Sequence, residues 1–144
     1  MFCYQCEQTA MGKGCTKMGV CGKDPVTADL QDVLIWAAKG IAFYAHRLRA
    51  LGSVDKEADR FIMEALFTTV TNVNFDPVRL EGIIARAGQI KDRLQAEYAK
   101  KAGAKADKPT EAAAWKTPKT QAEMMAYAQA LNIGKKIEGL GADV

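Results

Sequence analysis

Asp24-Pro-Val-Thr-Ala-Asp-Leu-Gln-Asp-Val-Leu-Ile-Trp-Ala-Ala-Lys-Gly-Ile-Ala-Phe-Tyr-Ala-His-Arg-Leu-Arg-Ala-Leu-Gly52 reads as one long helix. Asp24 offers a side-chain acceptor to the free amides of a first turn, and Pro25 is already set to a helical φ. Thr27 is an alternative cap. Leu30, Val33, Leu34, Ala37, Ile41, Tyr44, Ala45, Leu48 and Leu51 recur at steps of three and four, so they share one face. Gly52 stands at the stop position. Gly40, in mid-helix, is unfavourable by about 1 kcal/mol against alanine, and a close contact with another segment would account for it.

The same signals recur downstream. A second helix is predicted to start near Ser53 or Asp55 and to end at Asn72 to Asn74, with Phe61, Ile62, Ala65, Leu66, Thr69 and Val73 as its apolar stripe. Asp76-Pro77 opens a third, whose buried side is Leu80, Ile83, Ile84, Ala87, Ile90, Leu94 and Tyr98. It fades through Lys100 to Gly103. Residues 103–118, with Pro109 and Pro118, read as a connector with one helical turn at Glu111 to Trp115. Thr120-Gln-Ala-Glu123 has the form of a capping box. It opens a short fourth helix with Met124, Met125, Tyr127, Ala128 and Leu131 on one face, followed by a tail from Asn132 to Val144. No stretch alternates apolar and polar residues over strand length. The predicted fold is therefore all-α, one compact domain. A three-helix bundle (27–102) carries an N-terminal cysteine-rich segment (1–26), and the connector, short fourth helix and tail (103–144) lie across it.

Upstream of this helix lie all four cysteines, Cys3, Cys6, Cys15 and Cys21, spaced C-x2-C-x8-C-x5-C. Four thiols in so short a stretch point to a shared cause: an iron–sulfur cluster, a structural zinc, or two disulfides. Clusters are held by four thiolates. Zinc accepts the same donors but favours paired short-gap knuckles, of which only Cys3 and Cys6 form one. Disulfides need an oxidising compartment, and the N-terminus lacks the basic and apolar regions of a secretory signal. Gly12, Gly14, Gly19 and Gly22 surround the second pair and let backbone amides approach a ligand.

Composition narrows the function classes. The chain has 144 residues, 49% hydrophobic and 26% charged, with 20 Lys and Arg against 17 Asp and Glu. The net +3 is too small an excess to argue for nucleic acid. It suits a solvated face or a docking surface for an acidic redox partner. No apolar run approaches a membrane span, and the cytoplasm is the expected location. No catalytic constellation is visible. The one histidine, His46, reads as an ordinary helix residue. There is no Glu-x-x-His pairing of a di-iron bundle and no phosphate-binding glycine fingerprint. Phe2 and Tyr4 read as shields or anchors beside Cys3, Met11 and Met18 as gap fillers, and Trp36, Phe43 and Tyr44 as core. Glu7 is placed to pair with Lys13, Lys17 or Lys23. Arg47, Arg49, Arg60, Arg86 and Arg93 read as solvated faces.

Met1-Phe-Cys-Tyr-Gln-Cys-Glu-Gln-Thr9, Gly14-Cys-Thr16 and Gly19-Val-Cys-Gly-Lys23 resemble the N-terminus of the hybrid cluster proteins, also called prismane proteins or hydroxylamine reductases. Leu30 to Ala45 is similar to that family's first long helix. The resemblance implies a cubane [4Fe-4S] cluster on Cys3, Cys6, Cys15 and Cys21. It implies electron transfer toward a second, hybrid iron–sulfur–oxygen cluster, which the family builds later in a longer chain from further cysteines, glutamates and a histidine. This chain spends its four cysteines on the first cluster. The reading is an electron-transfer module, oxidoreductase-like by resemblance but not catalytic alone. It would serve a reductase and a separately encoded hybrid-cluster part. A zinc-stabilised helical interaction module is the alternative.

Overall fold

A computed structural model describes residues 3, 5–7, 12, 14–70 and 72–131. Among these, five α-helices follow the cysteine segment: α1 (Pro25–Ala50), α2 (Lys56–Thr68), α3 (Pro77–Ala102), α4 (Glu111–Ala114) and α5 (Gln121–Leu131), with a 3-10 turn at Gly103–Lys105. Among the described residues there is no β-strand, so the all-α prediction holds. The tail from Asn132 lies outside the described residues.

The caps form as the sequence dictates. The Asp24 carboxylate accepts from the Thr27 amide at 2.9 Å, and Asp55 and Asp76 do the same for α2 and α3. At α5 the Glu123 amide donates to Thr120 Oγ1 at 3.2 Å, while the Glu123 carboxylate accepts from the Lys119 amide at 2.7 Å. The box is thus displaced by one residue from its usual reciprocal form.

α1 is the hub. It packs most extensively on α3 and also contacts α2, α4 and α5, whereas α2 touches α3 only lightly. Leu30, Val33, Leu34, Ala37, Ile41, Tyr44, Ala45 and Leu48 are all buried against Phe61, Ala65, Leu80, Ile84, Ala87, Ile90 and Leu94. Each of the leucines, isoleucines, Val33 and Phe61 among them contributes roughly 1.5–3 kcal/mol on leaving water, and each alanine about 0.8 kcal/mol. Three residues assigned to the apolar stripes face solvent instead: Leu51, Leu66 and Val73.

α2 is shorter than predicted, ending at Thr68 rather than at Asn72 to Asn74. The cause is local. Thr69 Oγ1 turns back to the Leu66 carbonyl at 2.8 Å, and the Thr69 carbonyl points to Lys23 Nζ at 3.5 Å instead of extending the helical ladder.

Gly40 is explained by α4. A Cβ built there would overlap the Ala112 carbonyl oxygen, so the 111–118 connector can lie flat on the α1 backbone. Tyr44 Oη donates to the Ala113 carbonyl at 3.3 Å, and the buried Lys91 ammonium donates to the Trp115 carbonyl at 2.6 Å. Gly40→Ala is expected to destabilise by about 1–3 kcal/mol through overpacking, reversing the gain of about 1 kcal/mol that alanine brings to a free helix. A urea denaturation midpoint checks this, and an increase would refute it.

Candidate metal centre

Cys3 and Cys15 are held side by side. Their backbones form an antiparallel bridge, with Cys3 N donating to the Cys15 carbonyl at 3.1 Å and Cys15 N to the Cys3 carbonyl at 2.9 Å. A mutually bonded pair of this kind sits about 5.5 Å apart at Cα with both side chains on one face. The bridge closes the eleven-residue loop that holds Cys6. Cys21 lies in a tight turn: Gly22 N donates to the Gly19 carbonyl at 2.9 Å and Gly19 N to the Lys23 carbonyl at 2.8 Å. Gly22 has φ 89°, a conformation that side chains other than glycine's resist.

Cys15 is buried, at 5% exposure, and the other three cysteines are half-buried. Among the described residues, which include all four cysteines, no disulfide forms. Nor do three or more His, Cys, Asp or Glu side chains there converge as a metal-holding group. The backbone therefore brings Cys3 and Cys15 together, without gathering all four sulfurs on one point. The chemistry of the donor set nevertheless suits a cluster: four unoxidised thiols on one short segment, largely shielded from water.

Lys23 is the feature that sequence reading missed. It was assigned to the rim as a partner for Glu7, yet it is one of the most buried side chains in the protein, at 2% exposure. Its ammonium donates to Gln5 Oε1 at 2.9 Å and faces the Thr69 carbonyl at 3.5 Å and Cys3 Sγ at 4.0 Å. It also lies 5.8 Å from the centre of the Phe75 ring. Gln5 in turn donates to Thr69 Oγ1 at 3.0 Å. These bonds clip the cysteine segment to the end of α2. They also place a fixed positive charge where a thiolate-bound cluster carries negative charge. The only sequence signal was position, directly after Cys21-Gly22.

Two carboxylates approach the same end of α1. Burial pushes Asp32 up to about 6, with the neighbouring Asp29 adding to the effect and Lys23 opposing it. Asp29 is raised as well, chiefly by burial, and accepts from Gln129 of α5 at 2.9 Å.

Other expectations sort simply. His46 is exposed. Phe43 and Tyr44 are core, stacked edge-on at 5.0 Å, and Trp36 packs against that core. Arg47, Arg49, Arg86 and Arg93 form surface ion pairs with Asp107, Asp59, Glu64, and Asp55 with Glu57, and Arg60 is exposed. Phe2, Tyr4, Met11 and Lys13 lie outside the described residues, and Met18 is exposed.

A helical bundle fronted by a four-cysteine segment defines the class of protein, and comparison defines its kinship. Residues 1–138 match the Prismane/CO dehydrogenase family, and the chain belongs to it. Members of that family bind iron–sulfur clusters. The chain is 45% identical over 147 residues to a hydroxylamine reductase of Rhodospirillum rubrum, covering all of this chain and 27% of that protein. It is 49% identical over 138 residues to the hydroxylamine reductase of Syntrophobacter fumaroxidans, covering 96% of this chain and 25% of that one. It thus corresponds to the N-terminal part of these enzymes and spans about a quarter of their length.

Two outcomes follow. Asp32 holds a raised folded value against 3.8 when unfolded, so the fold binds the extra proton. Its stability contribution is complete below about pH 4 and is lost as pH rises through about 6. Asp32→Asn should stabilise the protein by about 2 kcal/mol at pH 7.5 and by nothing near pH 4, as read from denaturation midpoints at both. Lys23→Met should leave the helical circular dichroism intact but release the cysteine segment. Tryptic cleavage at exposed Lys17 would then accelerate roughly tenfold, with Lys23→Arg restoring part of the protection.

Proposed function

We propose that this chain is an iron–sulfur electron-transfer module. Cys3, Cys6, Cys15 and Cys21 are its ligands, a [4Fe-4S] cluster is its cofactor, and the helices are its scaffold. The observation that carries this reading is the donor set: four cysteines without a disulfide, in a family of iron–sulfur proteins, beside a buried ammonium. When bound, such a cluster gains and loses one electron. The chain's own residues do the rest. The Cys3–Cys15 bridge holds two ligands in register, the Gly19–Lys23 turn presents a third, and Lys23 supplies compensating charge.

Hydroxylamine reduction is the activity named for the relatives, and this chain spans only a quarter of them. The proposed role is electron delivery between a reductase and the part that carries the hybrid cluster, with no catalysis by these residues alone. Among the described residues no helix is long and apolar enough to cross a membrane, in keeping with a cytoplasmic setting for oxygen-sensitive thiolate ligands.

Protein purified without oxygen should be brown, hold about four iron and four acid-labile sulfide per chain, and bleach on reduction. Any single Cys→Ser change should lower that content. A colourless protein holding zinc and no sulfide would replace this reading with a zinc-stabilised interaction module.

A further inference from the structure

Two of the four cysteines are paired by their backbones. Cys3 and Cys15 exchange amide hydrogen bonds at 3.1 and 2.9 Å across an antiparallel bridge. Such a pair stands about 5.5 Å apart at Cα with both side chains on one face. A disulfide closes over Cα separations of roughly 4.4–6.8 Å. The fold therefore sets these two thiols within bonding reach of each other.

Spacing alone favours a different pair. Cys3 and Cys6 form a C-x2-C, the arrangement of many dithiol redox sites. The contacts around them oppose that choice. Gln5, which lies between the two, is held at both ends of its side-chain amide. Its Oε1 accepts from Lys23 Nζ at 2.9 Å, and its Nε2 donates to Thr69 Oγ1 at 3.0 Å. Closing a ring from Cys3 to Cys6 would pull the chain off both bonds. Cys6 sits in a bend past the bridge and Cys21 in the Gly19–Lys23 turn, and among the described residues neither is bridged to another cysteine. Exposure then orders the reaction: Cys3 is half-buried and Cys15 only 5% exposed, so a small oxidant in water meets Cys3 first.

We propose that Cys3 and Cys15, in the chain that carries no cluster, are an oxidative modification site that reacts with hydrogen peroxide and closes to a reversible Cys3–Cys15 disulfide. The Cys3 sulfur attacks one peroxide oxygen and the O–O bond breaks. Cys3 becomes a sulfenic acid, and its thiol proton leaves with the other oxygen as water. The Cys15 sulfur then attacks the Cys3 sulfur, the S–O bond breaks, and the hydroxyl departs with the Cys15 proton as a second water. Two thiols and one peroxide give one disulfide and two waters, with two electrons passing from sulfur to oxygen. The bond protects both sulfurs from irreversible oxidation and is opened again by a thiol reductant. It rests on the backbone bridge, and only its effect on metal uptake rests on the ligands assigned under the proposed function.

The test uses the full chain, stripped of metal by a chelator without oxygen, reduced, freed of reductant and treated with hydrogen peroxide. Tandem mass spectrometry of tryptic peptides should find Cys3, in residues 1–13, bonded to Cys15, in residues 14–17, as the main product. Dithiothreitol should remove the bond. Cys6→Ser with Cys21→Ser should link as fast as the unchanged chain. Cys15→Ser with Cys21→Ser, which leaves only the C-x2-C pair, should link roughly tenfold more slowly. Circular dichroism checks that both variants keep their helices. A Cys3–Cys6 bond as the main product, an even mixture of pairings, or sulfinic acid on Cys3 without a link overturns the proposal. Iron and sulfide uptake by the linked and the reduced chain separates this inference from the cluster reading. The linked chain should take up no cluster until it is reduced, because metal ligation needs free thiolates. A linked chain that loads fully removes Cys3 and Cys15 as ligands and leaves the disulfide standing. A reduced chain that loads normally and never links removes only the disulfide.

Discussion

Among the described residues the cysteine segment adds no side chain to the hydrophobic core cluster, and what ties it to the end of α2 centres on one buried ammonium. Burying a lysine is costly unless its charge finds polar partners. Lys23 finds Gln5 on the cysteine segment and the Thr69 carbonyl at the end of α2, with Cys3 Sγ and the Phe75 ring close by. The same contact has a second consequence, because Thr69 is where α2 stops. Helix length, loop position and cysteine placement are thus set together at one point.

The rest of the architecture serves that point by rigidity. α1 begins immediately after the cysteines, and Asp24 anchors its first turn through both the Thr27 amide and the Thr27 hydroxyl. Its buried face holds α3 on one side and α2 on another. The connector closes the remaining surface because Gly40 leaves room for the Ala112 backbone and Gly88 for the Thr117 side chain.

The polar groups at this end are balanced rather than neutralised. Asp32 lies near Lys23, yet burial raises its carboxyl more than the ammonium lowers it, and burial raises Asp29 as well. The arginines on the flanks, by contrast, form exposed ion pairs of small energetic weight.

Periodicity and capping chemistry are local, and the sequence by itself determined them. α1 and α3 start where Asp-Pro places them, α5 follows its threonine cap, and the core residues of α1 and α3 are those that recur at helical steps. The cysteine set was legible for the same reason, since thiol clustering is a one-dimensional pattern. Three things were decided only by tertiary structure. Lys23 looks like a rim charge until the end of α2 arrives over it. α2 looks as if it runs on to Asn72 until the Thr69 carbonyl is claimed from outside. Leu66 and Val73 look like core until α2 is seen to touch α3 only lightly. In each case the deciding partner lies more than forty residues away or belongs to another helix, and short-range pattern carries no record of such a neighbour.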